Sequence, residues 1–244
     1  MKKTIILLLI ISINLYSFDF KKEYINQLSW SSFSANLKLK MIKKDKSLST
    51  KEMLIKANST KKGQNILAIF KAPSNLKGMA FLANCNKNLK DKRYIYLRAL
   101  RRVKRVPANA ENYMLRDFLS LYLLKPRVEL WNFKLIEDKD NKVIVEATAK
   151  NKNVINLVGY KRLLHYIDKE KKIITKTEFF GKDNSLRRVQ TVTESKIIDG
   201  VRIITKMRTN DKEENLEVEV ILEDIKLNKK ISNKIFTTRY LKTL

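Results

Sequence analysis

A period of two dominates this chain and leaves it few folds to choose from. In Phe33-Ser34-Ala35-Asn36-Leu37-Lys38-Leu39-Lys40-Met41 every second residue is apolar and its neighbours are small or polar. That spacing belongs to a strand with one buried and one wetted face. The same beat returns at 51–58, 64–71, 77–84, 92–106, 128–137 and 141–149. The C-terminal half repeats it at 160–168, 172–180, 186–197, 201–209 and 215–225. Asp183-Asn184, Asp199-Gly200 and Asn210-Asp211 read as short turns between strands. Neighbouring strands joined so briefly pair antiparallel, which argues against βαβ units. Five glycines, three prolines and no Ser/Gly-rich linker leave no visible domain boundary.

Two segments keep a helical period instead. Behind Asp19, a candidate cap, Phe20, Tyr24, Ile25 and Leu28 fall on one side of a short amphipathic helix ending near Trp30. The run from Tyr113 to Leu124 is apolar around most of its circumference, with Met114, Phe118, Leu121 and Tyr122 on one side and Leu115, Leu119 and Leu123 on another. Pro126 stops it. A helix of that kind needs cover on several sides, so it is expected to plug or lid a curved sheet. The expected fold is mainly β with a few helices: one long antiparallel sheet, strongly bent, with a helix over its open side.

The first seventeen residues read as an export signal. Met1-Lys2-Lys3 is a positive start, Ile5 to Ile13 is apolar, and Leu15-Tyr16-Ser17 ends on a small residue. The apolar run is well short of the roughly 20 residues that a spanning helix needs. Residues 1–17 are therefore expected to be cleaved, leaving 18–244 as one domain in a bacterial periplasm. No cysteine stands near the cut to carry an acyl anchor. Cys85 and His165 are the sole residues of their kinds, which excludes an intramolecular disulfide and disfavours a Cys/His metal site. The formal charge of +27 suits nucleic acid or an anionic surface. An exported location argues against nucleic acid and leaves acidic headgroups, an acidic protein partner, or lysines that are simply solvated.

Catalytic constellations are thin. A serine or cysteine nucleophile needs a base held by a third group, and His165 sits in a strand pattern without any motif around it. The acidic pairs Glu137/Asp138, Glu213/Glu214 and Glu223/Asp224 stand among lysines as solvated surface, and five glycines leave little room for a phosphate loop. No catalysis, cofactor or metal is expected. What stands out is a surplus of large apolar groups: Leu37, Leu39, Phe70, Phe81, Tyr94, Tyr96, Met114, Phe118, Tyr122, Trp131, Phe133, Tyr166, Phe179 and Phe180. They either fill an ordinary core or line a hydrophobic cavity, where each buried methylene of an acyl chain gains about 0.8 kcal/mol.

Four stretches resemble the outer-membrane lipoprotein-sorting family, the LolA/LolB-like periplasmic carriers. Phe70-Lys-Ala-Pro73 with Lys77-Gly78-Met-Ala-Phe-Leu82 resembles the F-x-x-P…K-G-x-x-F-L of one branch. Tyr94-Ile-Tyr-Leu97 with Ala99-Leu100-Arg101-Arg102-Val-Lys104-Arg105-Val106 is similar to its W-L-Y-L-P-A-L-R-R-V-R-R-I, and Met114-Leu-Arg-Asp117-Phe118 to the start of its M-x-x-D-F-S-Y-E-D-L. The fourth is the tail: Asp199-Gly200, Ile225-Lys-Leu-Asn228, Ile235-Phe236 and Leu241. Arg98 replaces the family's proline, so that strand need not kink, and Leu119-Ser-Leu-Tyr122 replaces its polar Ser-Tyr-Glu-Asp.

The resemblance implies an unclosed β-barrel around helices, whose cavity shields acyl chains and performs no catalysis. It implies lipid or lipoprotein acyl chains as cargo, handled by a monomer. An inner-membrane transporter and an outer-membrane acceptor are the expected partners. Arg101, Arg102, Lys104 and Arg105 are candidates for docking an acidic transporter surface or an anionic membrane, beside the plainer reading of a charge-protected strand. Two alternatives stay open: a non-catalytic accessory subunit whose cavity is filled, and a secreted enzyme or adhesin on another β fold.

Overall fold

The computed structural model describes residues 30–43, 45–86, 91–107 and 128–244. In chain order they form β1 (Ser32–Lys43), β2 (Leu48–Thr60), β3 (Gly63–Ala72), β4 (Ala80–Asn86), β5 (Lys92–Leu97), β6 (Arg102–Val106), β7 (Trp131–Lys139) and β8 (Lys142–Ala149). Helix α1 (Lys152–Val158) precedes β9 (Arg162–Asp168), β10 (Ile173–Phe180), β11 (Leu186–Ile198), β12 (Val201–Asp211) and β13 (Leu216–Leu227), and the short α2 (Thr238–Leu241) ends the chain. All thirteen strands belong to one sheet, in the order β6-β5-β4-β3-β2-β1-β13-β12-β11-β10-β9-β8-β7. Two meanders are thus joined where β1 meets β13, every pairing is antiparallel, and β6 and β7 are the two edges of an unclosed sheet.

The expected strands are present, with three local differences. The run 92–106 is two strands, because a 3-10 turn at Arg98–Leu100 followed by Arg101 at φ 46° reverses the chain without any proline. Asn210-Asp211 ends β12 instead of forming the turn. The Asp211 carboxylate then accepts N–H bonds from Glu213 and Glu214 at 3.0 and 2.9 Å, so the strand end organises the turn that follows. Helix α1 lacks a periodic signal but has both caps: Asn151 accepts the Val154 N–H at 3.1 Å, and Gly159 closes it at φ 86°. The expected signal at 1–17 and plug over Tyr113–Leu124 lie outside the described residues, as does the helix expected over Asp19–Trp30 except for Trp30, which is not helical.

Register fixes two unlike faces. Phe70, Met53, Leu37 and Leu222 are partners in one row from β3 to β13, and Phe81, Ala68, Ile55 and Ala35 form the row beside it. We call this the inner face. The outer face carries ion pairs such as Lys40–Glu219 at 3.2 Å, Lys206–Glu219 at 3.1 Å and Lys176–Glu178 at 2.8 Å. Partial burial alone would raise the Glu219 carboxyl, but hydrogen bonds from Lys206 and Lys40 outweigh it and hold the group below the ordinary range. Exposed pairs contribute about 0–1 kcal/mol each, against about 1.5–3 kcal/mol for each large apolar side chain buried opposite them. The inner face decides the fold.

On β3–β5 both faces are buried, because the C-terminal tail crosses the outer one. Phe236 and Leu241 pack on Leu67, Ala80, Leu82 and Tyr96. A ladder of amides, Asn84 to Asn65 at 2.8 Å and Asn65 to Asn58 at 3.0 Å, continues to Asn233 of the tail at 2.5 Å. Leu241 is fully buried there. Leu241→Ala is expected to cost about 2–5 kcal/mol in urea unfolding, whereas Leu48→Ala, at a position 63% exposed, stays within about 0.5 kcal/mol. Equal effects would remove the tail as a structural clasp.

Candidate functional site

The inner face gathers buried side chains from β1, β2, β3, β4, β12 and β13 into one cluster, with Leu37, Met53, Ile55, Phe70, Phe81, Met207, Val220 and Leu222 among them. Trp30 belongs to it and lies 5.6 Å from Phe33, ring to ring. No residue of α1, α2 or the 3-10 turn at Asn233–Phe236 takes part in this cluster. A second apolar field spans β7–β10: Val143, Val145, Ile167 and Ile174 on one side, Ala147, Leu163 and Phe179 on the other, with Phe133 packed against both. Tyr160, just past α1, closes this field with its ring 5.0 Å from Phe179.

A polar band starts inside the second field, where His165 and Thr177 stand between its two halves, and runs across β11 and β12 to the edge of the main cluster. Register aligns His165 with Thr177, Thr177 with Gln190, Gln190 with Thr209, and Arg188 with Asp211. His165 Nδ1 lies 3.0 Å from Thr177 Oγ1, and Gln190 Nε2 lies 3.0 Å from Met207 Sδ. Arg188, only 1% exposed, donates through Nε and Nη2 to Asp211 Oδ2 at 3.0 and 2.5 Å. The face thus carries two apolar fields and a polar band that runs from inside one to the edge of the other.

The candidate residues fall on both sides of the sheet. Leu37, Leu39, Phe70 and Phe81 meet in the main inner cluster, and Trp131, Phe133 and Phe179 meet in the second field. Tyr94 and Tyr96 do not join them: pairing with Leu82 and Ala80 puts both on the outer face beneath the tail. Tyr166 is also outward, bonded to Glu178 at 3.1 Å with Lys176 Nζ 3.8 Å from its ring. Met114, Phe118 and Tyr122 lie outside the described residues. Arg101, Arg102, Lys104 and Arg105 are all exposed on the β5–β6 turn and edge strand β6. The sequence reading missed Met53, Ile55, Met207, Val220 and Leu222, whose signal was the same alternation followed by parity instead of by aromatic size. It also missed the polar band, which no local motif announces.

Chemically the band can bind and orient polar groups but is ill suited to proton abstraction. Burial pushes the His165 imidazole down to about 4, so it is too weak a base to draw a proton from the Thr177 hydroxyl at neutral pH. Among the described residues no three His, Cys, Asp or Glu side chains gather to hold a metal, and no helix is long and apolar enough to cross a membrane.

Two outcomes follow from the band. Asp211→Ala leaves a buried guanidinium without its carboxylate and should cost about 3–5 kcal/mol in urea unfolding, while the double change Arg188→Met/Asp211→Leu should cost much less. His165 is neutral in the fold but titrates near 6.5 once unfolded, so its contribution is whole above pH 6.5 and fades as the pH falls towards 4. The full loss is at most about 3 kcal/mol. Between pH 6.5 and 5, His165→Asn should flatten the fall of unfolding free energy; parallel curves would refute the assignment.

Comparisons with known proteins agree with this geometry. The chain superposes on a domain from Vibrio parahaemolyticus described as an outer membrane lipoprotein-sorting protein, with TM-score 0.79 and 22% identity over 91% of this chain and 96% of that one. It matches a DUF1329 family protein from Desulfovibrio piger with TM-score 0.79 and 17% identity, covering 91% of this chain and 98% of the other. A LolA superfamily protein from Nitrosomonas europaea aligns with TM-score 0.68 and 16% identity over 90% of this chain and 96% of that chain. At these identities the likeness is one of fold: the expected LolA-like architecture, a single unclosed antiparallel sheet, is present. No curated protein matches the chain. A family model described only as "uncharacterized protein" matches residues 62–243, about three-quarters of the sequence, and the chain belongs to that family.

Proposed function

We propose that this protein is a non-catalytic periplasmic carrier that shelters lipid or lipoprotein acyl chains against the inner face of its sheet. The observation that carries the reading is the make-up of that face: two apolar fields and the polar band that runs from one to the other, on one unclosed sheet. An amphiphile has the same division. Its chains would lie along Leu37, Met53, Phe70, Val220 and Leu222, and its ester or headgroup oxygens would meet the hydroxyls and amide of Thr177, Thr209 and Gln190. Met53 and Met207 add unbranched, polarizable side chains that adapt to a flexible guest.

The mechanism is partition. A chain of about fifteen methylenes gains on the order of 12 kcal/mol on leaving water, before the costs of ordering guest and protein are subtracted. That gain is ample for capture from a donor and small enough for release to a drier acceptor. The described fold, shared with a domain assigned to outer membrane lipoprotein sorting and with a LolA superfamily protein, supports this reading. An inner-membrane transporter as donor and an outer-membrane protein as acceptor are the partners it implies.

One observation favours a second reading. Ile55 and Ile66 are 0% exposed and Leu37 1%, so the inner face is already covered, as in an accessory subunit of an envelope transport complex with a filled cavity. Native mass spectrometry of the purified protein, with titration of a fluorescent fatty acid, separates the two. Retained amphiphile, or saturable uptake displaced by unlabelled fatty acid, is expected of a carrier. A lipid-free protein that takes up no probe overturns the carrier and leaves the accessory subunit.

A further inference from the structure

At one end of the sheet, the corner formed by β3 to β6 carries a basic groove. The β3–β4 loop, the β5–β6 turn and the last residues of the tail enclose an open groove of about 950 Å³. Lys77, Arg98, Arg101 and Lys242 line it, and among the described residues no aspartate or glutamate side chain does. All four cations are exposed, and Arg102 follows directly on edge strand β6. The groove also has an apolar component in Met79, Tyr96 and Leu97.

Arg98 is held in place by a close approach. Gly78 stands at φ +83°, and a Cβ there would come within 2.4 Å of Arg98 Cδ. The guanidinium of Arg98 donates from Nη1 to the Lys77 carbonyl at 3.4 Å. The side chain therefore lies flat along the loop instead of waving in solvent.

Apolar side chains project at the same end. Leu100, on the tip of the turn between Arg98 and Arg101, is 58% exposed. At the same end, with β3 and β4 in between, the Ile42–Leu48 pair ends the β1–β2 ladder, 38% and 63% exposed. Acidic groups at this end stand on the β1–β2 hairpin and beyond it: Asp45 accepts the Ser47 N–H at 2.9 Å, Glu52 pairs with Lys38 at 3.4 Å, and, farther along at the β10–β11 and β12–β13 turns, Asp183 and Glu213 pair with Arg187 and Glu217 with Arg208, with Glu214 exposed beside them. Cations flanking a projecting leucine complement a bilayer surface, where phosphates lie above hydrocarbon. An acidic protein surface would explain the cations but not the exposed leucines.

We infer that this corner of the sheet is a membrane-docking surface for anionic phospholipid headgroups, with Lys77, Arg98, Arg101 and Lys242 on the phosphates and Leu100 in the acyl boundary. It gives the proposed carrier its point of contact with a donor membrane, and so rests on that reading for its purpose. The two fail separately, because docking is read on vesicles and cargo binding on retained or added lipid.

The test is co-sedimentation with phosphatidylcholine vesicles containing about one-quarter phosphatidylglycerol, at physiological salt. A chain of this net charge adheres weakly to any anionic surface, so the control must lose the same charge elsewhere. Lys77→Gln/Arg98→Gln/Arg101→Gln should weaken binding roughly tenfold to a hundredfold, at about fivefold per basic side chain. Lys61→Gln/Lys62→Gln/Lys172→Gln, in turns at the opposite end, should change it less than about threefold by long-range screening alone. Leu100→Ser, which alters no charge, should weaken binding about tenfold. Equal losses in the two triple variants, or unchanged binding in both the groove triple and Leu100→Ser, overturn the proposal. An acidic protein partner then becomes the occupant to seek.

Discussion

Everything in this structure follows from one constraint: a thirteen-strand sheet keeps a single side-chain parity from edge to edge. Because each strand alternates strictly, one slipped register would turn a row of leucines outward and a row of lysines inward. The paired rows through Phe70, Met53, Leu37 and Leu222 carry that parity across β3, β2, β1 and β13. Where bulges occur, as between Ser34 and Asn36 or between Val192 and Glu194, the inner row resumes on the same side. A face so wide and so apolar must be sheltered from water, on a sheet that stays unclosed between β6 and β7.

The two faces divide the work of the molecule. Outside, lysines and glutamates in cross-strand register give a charged face at little energetic consequence. Inside, burial supplies the stability, and the Arg188–Asp211 pair spans the join between β11 and β12 and helps to hold the turn into β13 through Asp211. The tail adds a second layer over β3–β5 and bonds to Asn58 of β2 through Asn233, stiffening one wing. The wing at β7 is barer: most residues of that edge strand are exposed. The clamped wing and the bare one meet at β1 and β13.

Strand existence was legible because period-two patterning survives wherever one face is wet. It fails as a guide where both faces are dry. β4 reads Ala80-Phe81-Leu82-Ala83, all buried, and its neighbours Tyr94 and Tyr96 therefore looked like cavity lining although the tail covers them. Tyr166 misled for a different reason: on β9, Leu163-Leu164-His165-Tyr166-Ile167 offers no polar beat, and the lysines that accept its ring stand on β8 and β10. The β5–β6 reversal was hidden because Arg101 adopts a left-handed backbone that glycine or asparagine would have advertised. The polar band could not be read from any local motif, since its members come from four strands and meet only through register.

The central claim, that the inner face accepts an acyl chain, can be read from inside the cluster itself. Trp30 and Trp131 are the two tryptophans of the chain, and Trp30 sits among the main inner cluster at 6% exposure. In a Trp131→Phe variant, emission therefore comes from Trp30 alone. Titration with a fatty acid brominated along its chain should quench that emission saturably, while the unbrominated fatty acid should not. Binding of the brominated acid without any loss of Trp30 emission would place the chain elsewhere and contradict the assignment of the inner face.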